Sequence, residues 1–439
     1  MFFLYPRRDI LVWRTPCEEI LPSHCFSFAL RSPIRIFFQT GNLNKEYDET
    51  TLGPRIVLTF LGMKYAVVNE ELSEALLSIY TGKHADVLVS YESLPPEQYY
   101  RLLQRRIRTD SLDDVFMVWS GDVRAYQQKG VLLNLENLPA LSSYRQEVLE
   151  QMRIDGRISF IPLSLSAYAM YCNKNLLKEY GVEEPQNGAE LLAACETFRK
   201  QGIQPIIADM ESLKALVLLR SLFGNQQNSN VLFDKANKDP IVLQALLQEG
   251  FAFLALLRDR EYIDSLAPLL KRTDNSDLLF ALGEQPFMLG GIWLSPGLEG
   301  LIHSFSFRMI PYAILDDGPA IVLGMDTPLA VNAQSHHPEE ARSLMESLTS
   351  ARAINLFVRG QGLLSPRMDD PSESARAVSS FQTCLASGRV LFRSDTRLHY
   401  PLWKNLDKGV EMVLNGAAPE HAAAAVIQQL SLPQREDGQ

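Results

Sequence analysis

The chain has 439 residues, 46% of them apolar, which is enough for two or three domains with cores of their own. A formal net charge of −10 excludes the broad basic surface that nucleic acid or an anionic membrane demands. The five cysteines (17, 25, 172, 195 and 384) form no C-x-x-C pair, which argues against a zinc site and a disulfide framework, and no run of 18 apolar residues suggests a membrane span.

Residues 1–54 read as a poorly structured or atypical leader. "MFFLYPRR" carries its charge after its apolar start, the reverse of a secretory signal. Two arginines and a proline interrupt "FSFALRSPIRIFF", and Cys17 and Cys25 lack the small-residue setting of a lipid-modified cysteine. From residue 55 onward short apolar runs alternate with helical periods. "RIVLTFLG" (55–62) predicts a buried strand, and Val68, Leu72, Ala75, Leu76 and Ile79 predict an amphipathic helix over 67–80 ending at Gly82. "ADVLVSY" (85–91) is a second strand, 99–108 a basic helix and "DDVFMVW" (113–119) a third strand. Strand–helix–strand order implies parallel pairing with helices on the faces.

"FIPLSLSAYAMYCNKNLL" (160–177) is an extended segment carrying small hydroxyls and tyrosines before a helix begins. "AELLAACETFRK" places Leu191, Leu192, Cys195 and Phe198 on one helical face, with Cys195 a small core residue. "PIIAD" (205–209) and "PFMLGGIW" (286–293) read as strands, and 213–223 and 240–258 as apolar helices. "GPAIVLGMDTPLAVNA" is extended, "HPEEARSLMESL" opens a helix with proline in its first turn, and 374–386 and 404–430 are helical. Two βα clusters are thus joined by extended segments at 160–172 and 318–333, with a third crossing expected near "GQGLLSPR" (360–367). Repeated crossing suits a hinge between two lobes.

Ligands of open α/β sheets bind beyond the carboxyl ends of strands. Trp119 and Trp293 end strands beside turn residues, and Trp403 precedes the last long helical stretch. Asp122, Glu211 and Asp326 can accept hydrogen bonds; Ser164, Ser166 and Tyr168 can donate or accept. Flat rings beside such groups suit a sugar, with its apolar C–H face and its rim of hydroxyls. There is no G-x-x-x-x-G-K-[ST], H-E-x-x-H or G-x-S-x-G pattern. His336-His337 reads as a helix-entry loop rather than a metal site, and the adjacent pairs Asp113-Asp114 and Asp316-Asp317 point apart on alternating faces. No enzyme and no cofactor are expected.

"PLSLSAYAMYCNKNLLKEYGVEEPQNGAELLAACETFRKQGIQPI", "YTGKHADVLVSY", "GEQPFMLGGIWLSPGLE" and "GMDTPLAVNAQSHHPEEARSLMESLTS" together resemble, in order and spacing, the sugar-type extracellular solute-binding proteins of ABC importers, over about residues 55–430. The resemblance implies an α/β, two-lobed, type II periplasmic-binding-protein-like fold. One lobe would take 55–164 plus 326–364, the other 165–320 plus 365–432, with hinges near 163–168, 318–326 and 362–368. It implies a monomeric receptor outside the cytoplasm, a lipoprotein in many members, that hands a carbohydrate to permease subunits. Against the maltodextrin-binding relative, Trp119, Trp293 and Trp403 match stacking positions, Asp122 matches a hydroxyl acceptor, Glu211 a glutamate and Lys64 a lysine. Ser166 stands where that relative has a hinge glutamate, Met63 replaces an aspartate, Leu213 a tyrosine and Asp407 an arginine, so the same sugar is not implied. Alternatives are the same fold acting as a sugar sensor for a membrane kinase, a receptor for a non-sugar solute such as a peptide, and an intracellular enzyme.

Overall fold

In a computed structural model the described residues are 34–38, 56–63, 70–224, 229–265, 275–370 and 379–431. Lys64, Cys17 and Cys25 lie outside them, as does most of the expected leader. The strands are β1 (Ile34–Phe38), β2 (Ile56–Met63), β3 (Val87–Leu94), β4 (Val115–Met117), β5 (Arg153–Ile154), β6 (Arg157–Ile158), β7 (Ile161–Asn173), β8 (Ile206–Ala208), β9 (Phe287–Gly291), β10 (Phe307–Ile310), β11 (Ile321–Val331) and β12 (Val390–Phe392). Apart from the small β5–β6 ribbon they form one continuous path, β1-β3-β2-β4-β11-β7-β9-β8, with β10 joined to β7 and β12 to β11.

β2 pairs in parallel with β3 and β4, and β8 in parallel with β9, as the strand–helix–strand order requires. β1 is a difference from the sequence expectation: it falls within 1–54 yet pairs antiparallel with β3. Its "IRIFF" alternates in a way that suits an edge strand, a pattern too short to stand out in a segment read as leader.

The two halves meet along β7 and β11. Residues Ile161–Ala167 of β7 pair antiparallel with β11, and from Tyr168 onward β7 pairs with β9 instead. β11 passes from its register with β12 at Ile321 to its register with β4 at Val331. Each strand is therefore shared by both halves. Being covered on both sides, β7 is buried at all thirteen positions, which explains its small Ser and Ala residues and its lack of polar alternation.

One core gathers Leu58, Val89, Phe116, Ile161, Ala330 and Leu344; the other gathers Cys172, Cys195, Phe198, Leu216, Phe251 and Val410. The segment Pro240–Asp259 is long and apolar enough to cross a membrane, with mean hydropathy 1.7. It is a second-lobe core element: half of it is buried, and Leu247, Phe251 and Leu254 sit wholly inside.

The return path differs from expectation. Helix Ala351–Gln361 ends at Gly362, in the left-handed conformation that glycine tolerates (φ 64°). The chain then stays with the first lobe: Leu364 exchanges backbone hydrogen bonds with Leu165, and the Arg145 N–H donates to Pro366 O. Arg367 bonds Thr349 O, so 365–370 does not join the second lobe. The crossing near 360–367 is replaced by β12 and the residues after it. The helical stretch 404–430 is two helices, Leu402–Leu414 and Pro419–Ser431, because Gly416 (φ 92°) and Pro419 break it.

Candidate functional site

All three tryptophans singled out by sequence are half-buried at the boundary between the lobes. Trp119 follows β4 and stacks on Tyr100, with ring centres 6.5 Å apart and planes 15° from parallel. Trp293 lies in the turn after β9; its indole packs on Gly291, where any Cβ would approach the ring to 2.2 Å. Trp403 sits in the first turn of Leu402–Leu414.

Two other side chains join the three indoles. Tyr168, the residue at which β7 changes partners, meets Trp293 edge-on at 5.5 Å and Trp403 at 5.6 Å. The Arg393 guanidinium lies 5.5 Å from the Trp119 ring centre and 6.0 Å from that of Trp403. The first-lobe indole thus meets the second-lobe pair through one cation, a favourable cation–π geometry in a desolvated place. Arg393 rests on the backbone of Gly324, where an added Cβ would come within 2.6 Å of it, and donates to Asp326 at 2.9 Å. Its burial opposes its charge, but Asp326 and then Tyr168 hold it firmly protonated. Burial likewise pushes the Tyr168 phenol far above its usual range, with Arg393 opposing.

The acceptors divide. Asp122 precedes the short helix Val123–Gln128 without capping it, and burial raises its carboxyl, with Lys404 of the other lobe opposing. Glu211 is engaged twice, by the Trp403 indole N–H at 3.0 Å and by Lys214 at 2.8 Å. Lys214 is only 2% exposed, also meets Asp407 at 2.9 Å and lies 4.7 Å from the Trp403 ring centre. Asp326 is engaged by Arg393.

The hydroxyl-bearing residues Ser164, Ser166 and Tyr168, which the sequence offered as ligand contacts, are not exposed. Ser164 and Ser166 are fully buried within β7, beside Asp326 and Gly324 of β11, and their hydroxyls have no hydrogen-bond partner among the described residues. Tyr168 is 1% exposed. Strand alternation puts 164, 166 and 168 on one face but cannot say whether that face meets solvent. The structure therefore unites Trp119, Asp122, Glu211, Trp293, Asp326 and Trp403 and sets the two serines beneath them.

Sequence reasoning missed Arg393, Lys214 and Tyr100. Lys214 carried a usable signal, since a lone cation inside "LKALVLL" cannot face the apolar side unpaired. The carboxylate pairs do diverge: Asp113 takes Arg106, whereas Asp114 takes Thr59 and Ser335.

Residues 62–354 match the family model described as bacterial extracellular solute-binding protein. A curated relative, the multiple sugar-binding protein of Streptococcus mutans, is 21% identical over 268 residues, covering 58% of this chain and 63% of its own length. The match therefore spans just under two thirds of that relative. Among solved structures, a family 1 extracellular solute-binding protein from Bifidobacterium longum subsp. infantis superposes with TM-score 0.71 at 16% identity, over 86% of this chain and 99% of its own. The solute-binding protein RafE in complex with raffinose superposes with TM-score 0.67 at 14% identity, over 85% and 98% of the two chains. At these identities the superpositions establish the type II two-lobed fold.

Proposed function

Because this chain belongs to the bacterial extracellular solute-binding protein family, we propose that it is a receptor that captures an oligosaccharide between its lobes and delivers it to the permease subunits of an ABC importer. The family consists of receptors rather than enzymes and works outside the cytoplasm; a monomer acting at the cell surface or in the periplasm is our finer reading. The observation that carries the proposal is the linkage of Trp119, Trp293 and Trp403 through Tyr168 and Arg393 across the lobe boundary.

A saccharide stacked on these rings touches both lobes only when they are shut. That differential contact is the means by which a ligand shifts an equilibrium toward closure. Each stack contributes about 1 kcal/mol beyond area burial, and a hydrogen bond to a charged acceptor about 2 kcal/mol. Asp122 is the acceptor best placed to bind a hydroxyl, since Glu211 and Asp326 already hold protein donors. The sugar-binding name of the curated relative and the raffinose bound by RafE favour this ligand class over peptides.

The test is isothermal calorimetry of wild type and Trp403→Ala with raffinose, maltotriose and related oligosaccharides. Micromolar binding by wild type is expected, weakened about tenfold (~1.4 kcal/mol) by the substitution. Binding of a peptide mixture with no response to any saccharide would refute the reading.

A further inference from the structure

Residues 393–400, "RSDTRLHY", follow β12 and make hydrogen bonds to both lobes. β12 runs parallel to β11, toward the end at which β11 meets β4, so the chain after it enters first-lobe territory. Thr396 is the tip. Its N–H donates to Gln151 Oε1 at 2.9 Å, its hydroxyl to Gln151 O at 2.7 Å, and its carbonyl accepts from Arg124 at 3.2 Å. Gln151 and Arg124 belong to the first-lobe helices Gln146–Met152 and Val123–Gln128, whose Val148, Met152, Val123 and Tyr126 are in the first core.

The very next residues bind the other lobe. Asn237, on helix Ser229–Lys238, donates to Arg397 O at 2.9 Å and accepts from the His399 N–H at 2.8 Å, and its own carbonyl accepts from the Tyr400 hydroxyl at 3.1 Å. Arg397 also reaches Asn230 at 2.9 Å. One short segment is therefore fastened to both lobes, and it begins at Arg393, which lies against an indole from each. Rotation of one lobe away from the other must break one side of this fastening. The Thr396 side is the one to give way: among the described residues it has four hydrogen bonds, with Gln151 the acceptor in three of them, whereas the other side runs on into helix Leu402–Leu414, whose Leu402, Leu406 and Val410 are packed in the second core.

We propose that Thr396 and Gln151 are positioning residues: lying outside the aromatic cleft, they set how often the two lobes are shut and, through that, the apparent affinity of the cleft. The inference rests on the two-lobed receptor reading but not on the identity of its ligand. Apparent affinity falls in proportion to the population able to bind. A drop in the shut fraction from about 0.8 to about 0.2 weakens binding about fourfold with no cleft residue altered.

The decisive measurement is small-angle X-ray scattering of the full chain without ligand, for wild type, Thr396→Val, Thr396→Ser and Gln151→Leu. A compact chain of this length has a radius of gyration of about 22 Å. Thr396→Val and Gln151→Leu are expected to raise the measured value by on the order of 1 Å, with Thr396→Ser staying at the wild-type value because it keeps the hydroxyl. Urea unfolding midpoints recorded alongside identify any variant whose expansion is mere loss of structure; Thr396→Val, at a half-buried tip, is expected to keep its midpoint. An unchanged radius in both Thr396→Val and Gln151→Leu overturns the proposal, as does expansion in Thr396→Ser equal to that in Thr396→Val. Raffinose titration then reads the weakened affinity. If wild type binds no saccharide, the scattering result still stands, and it is the sugar reading alone that fails.

Discussion

Two charges near the lobe boundary show how burial and pairing divide the work. Lys214 is almost wholly covered yet meets two carboxylates, Glu211 and Asp407, that are themselves half in water. A desolvated ammonium needs such partners, and in return it fixes Glu211 beneath the Trp403 indole. Asp122 has no comparable compensation. Burial raises its carboxyl, so the folded protein binds that proton more tightly than the unfolded chain does. A raised acid therefore costs stability above the folded-state titration, and the cost disappears as pH falls through the unfolded-state carboxylate range. Asp122→Asn is expected to melt higher than wild type at pH 7, with the gap closing as pH drops through the carboxylate range. Scanning calorimetry at several pH values reads this directly; a gap that widens in acid contradicts the assignment. The same variant is expected to weaken saccharide binding by about 2 kcal/mol, since it replaces a charged acceptor. Stability and affinity thus move in opposite directions, as expected of a group kept for binding rather than for folding.

Among the elements, β11 carries visible strain. Thr327 sits next to Asp326 with φ 47°, a conformation that a β-branched residue rarely takes, and it falls between two residues paired to β7. The residue opposite the next pair is proline on both strands, Pro162 and Pro328, so the ladder has fewer donors where the lobes join. Thr327→Gly is expected to stabilise the protein by about 1 kcal/mol in urea unfolding, because glycine adopts positive φ freely. A loss of stability would mean that the Thr327 side chain contributes more by packing than its backbone costs. At this scale the sequence was partly readable. Apolar runs located β2, β3, β8 and β9 within a few residues, and the hydroxyl-rich 160–172 segment marked the β7 crossing. The third crossing was misread because "GQGLLSPR" carries the glycine of a helix end, which looks like an exit from the lobe but is a turn within it. The true crossing, "RSDTRLHY", is dense in charge and resembles a surface loop; only its tertiary hydrogen bonds reveal it. The meeting of aromatic rings at the lobe boundary had one local signal, tryptophans that stand beside turn residues. Arg393 had none, because an isolated arginine after a three-residue strand has no local pattern.

At the scale of the whole molecule, two cores raise the question of whether the lobes unfold separately. Multi-domain chains commonly do. Here the division into lobes is not a division of the sheet, because β7 contributes Ile161–Ala167 to one half and Tyr168–Cys172 to the other, and all of it is buried. β11 is shared along its length too, pairing with β12 at Ile321–Leu323 and with β4 at Leu329–Val331. Unfolding either lobe would remove the edge partners of a strand the other lobe needs and expose a surface with no polar face to offer to water. Each buried backbone group so orphaned costs about 1–3 kcal/mol, more than an independent lobe of ordinary marginal stability can supply several times over. Ligand-free protein is therefore expected to melt in a single transition whose calorimetric and van't Hoff enthalpies agree. Two resolved transitions would mean that β7 and β11 flex enough at the junction for one half to survive alone. On the receptor reading proposed above, a saccharide that binds, added at one hundred times its dissociation constant, should raise stability by about 2.7 kcal/mol and move that one transition as a unit, because a ligand held between the halves bridges units that already fold together.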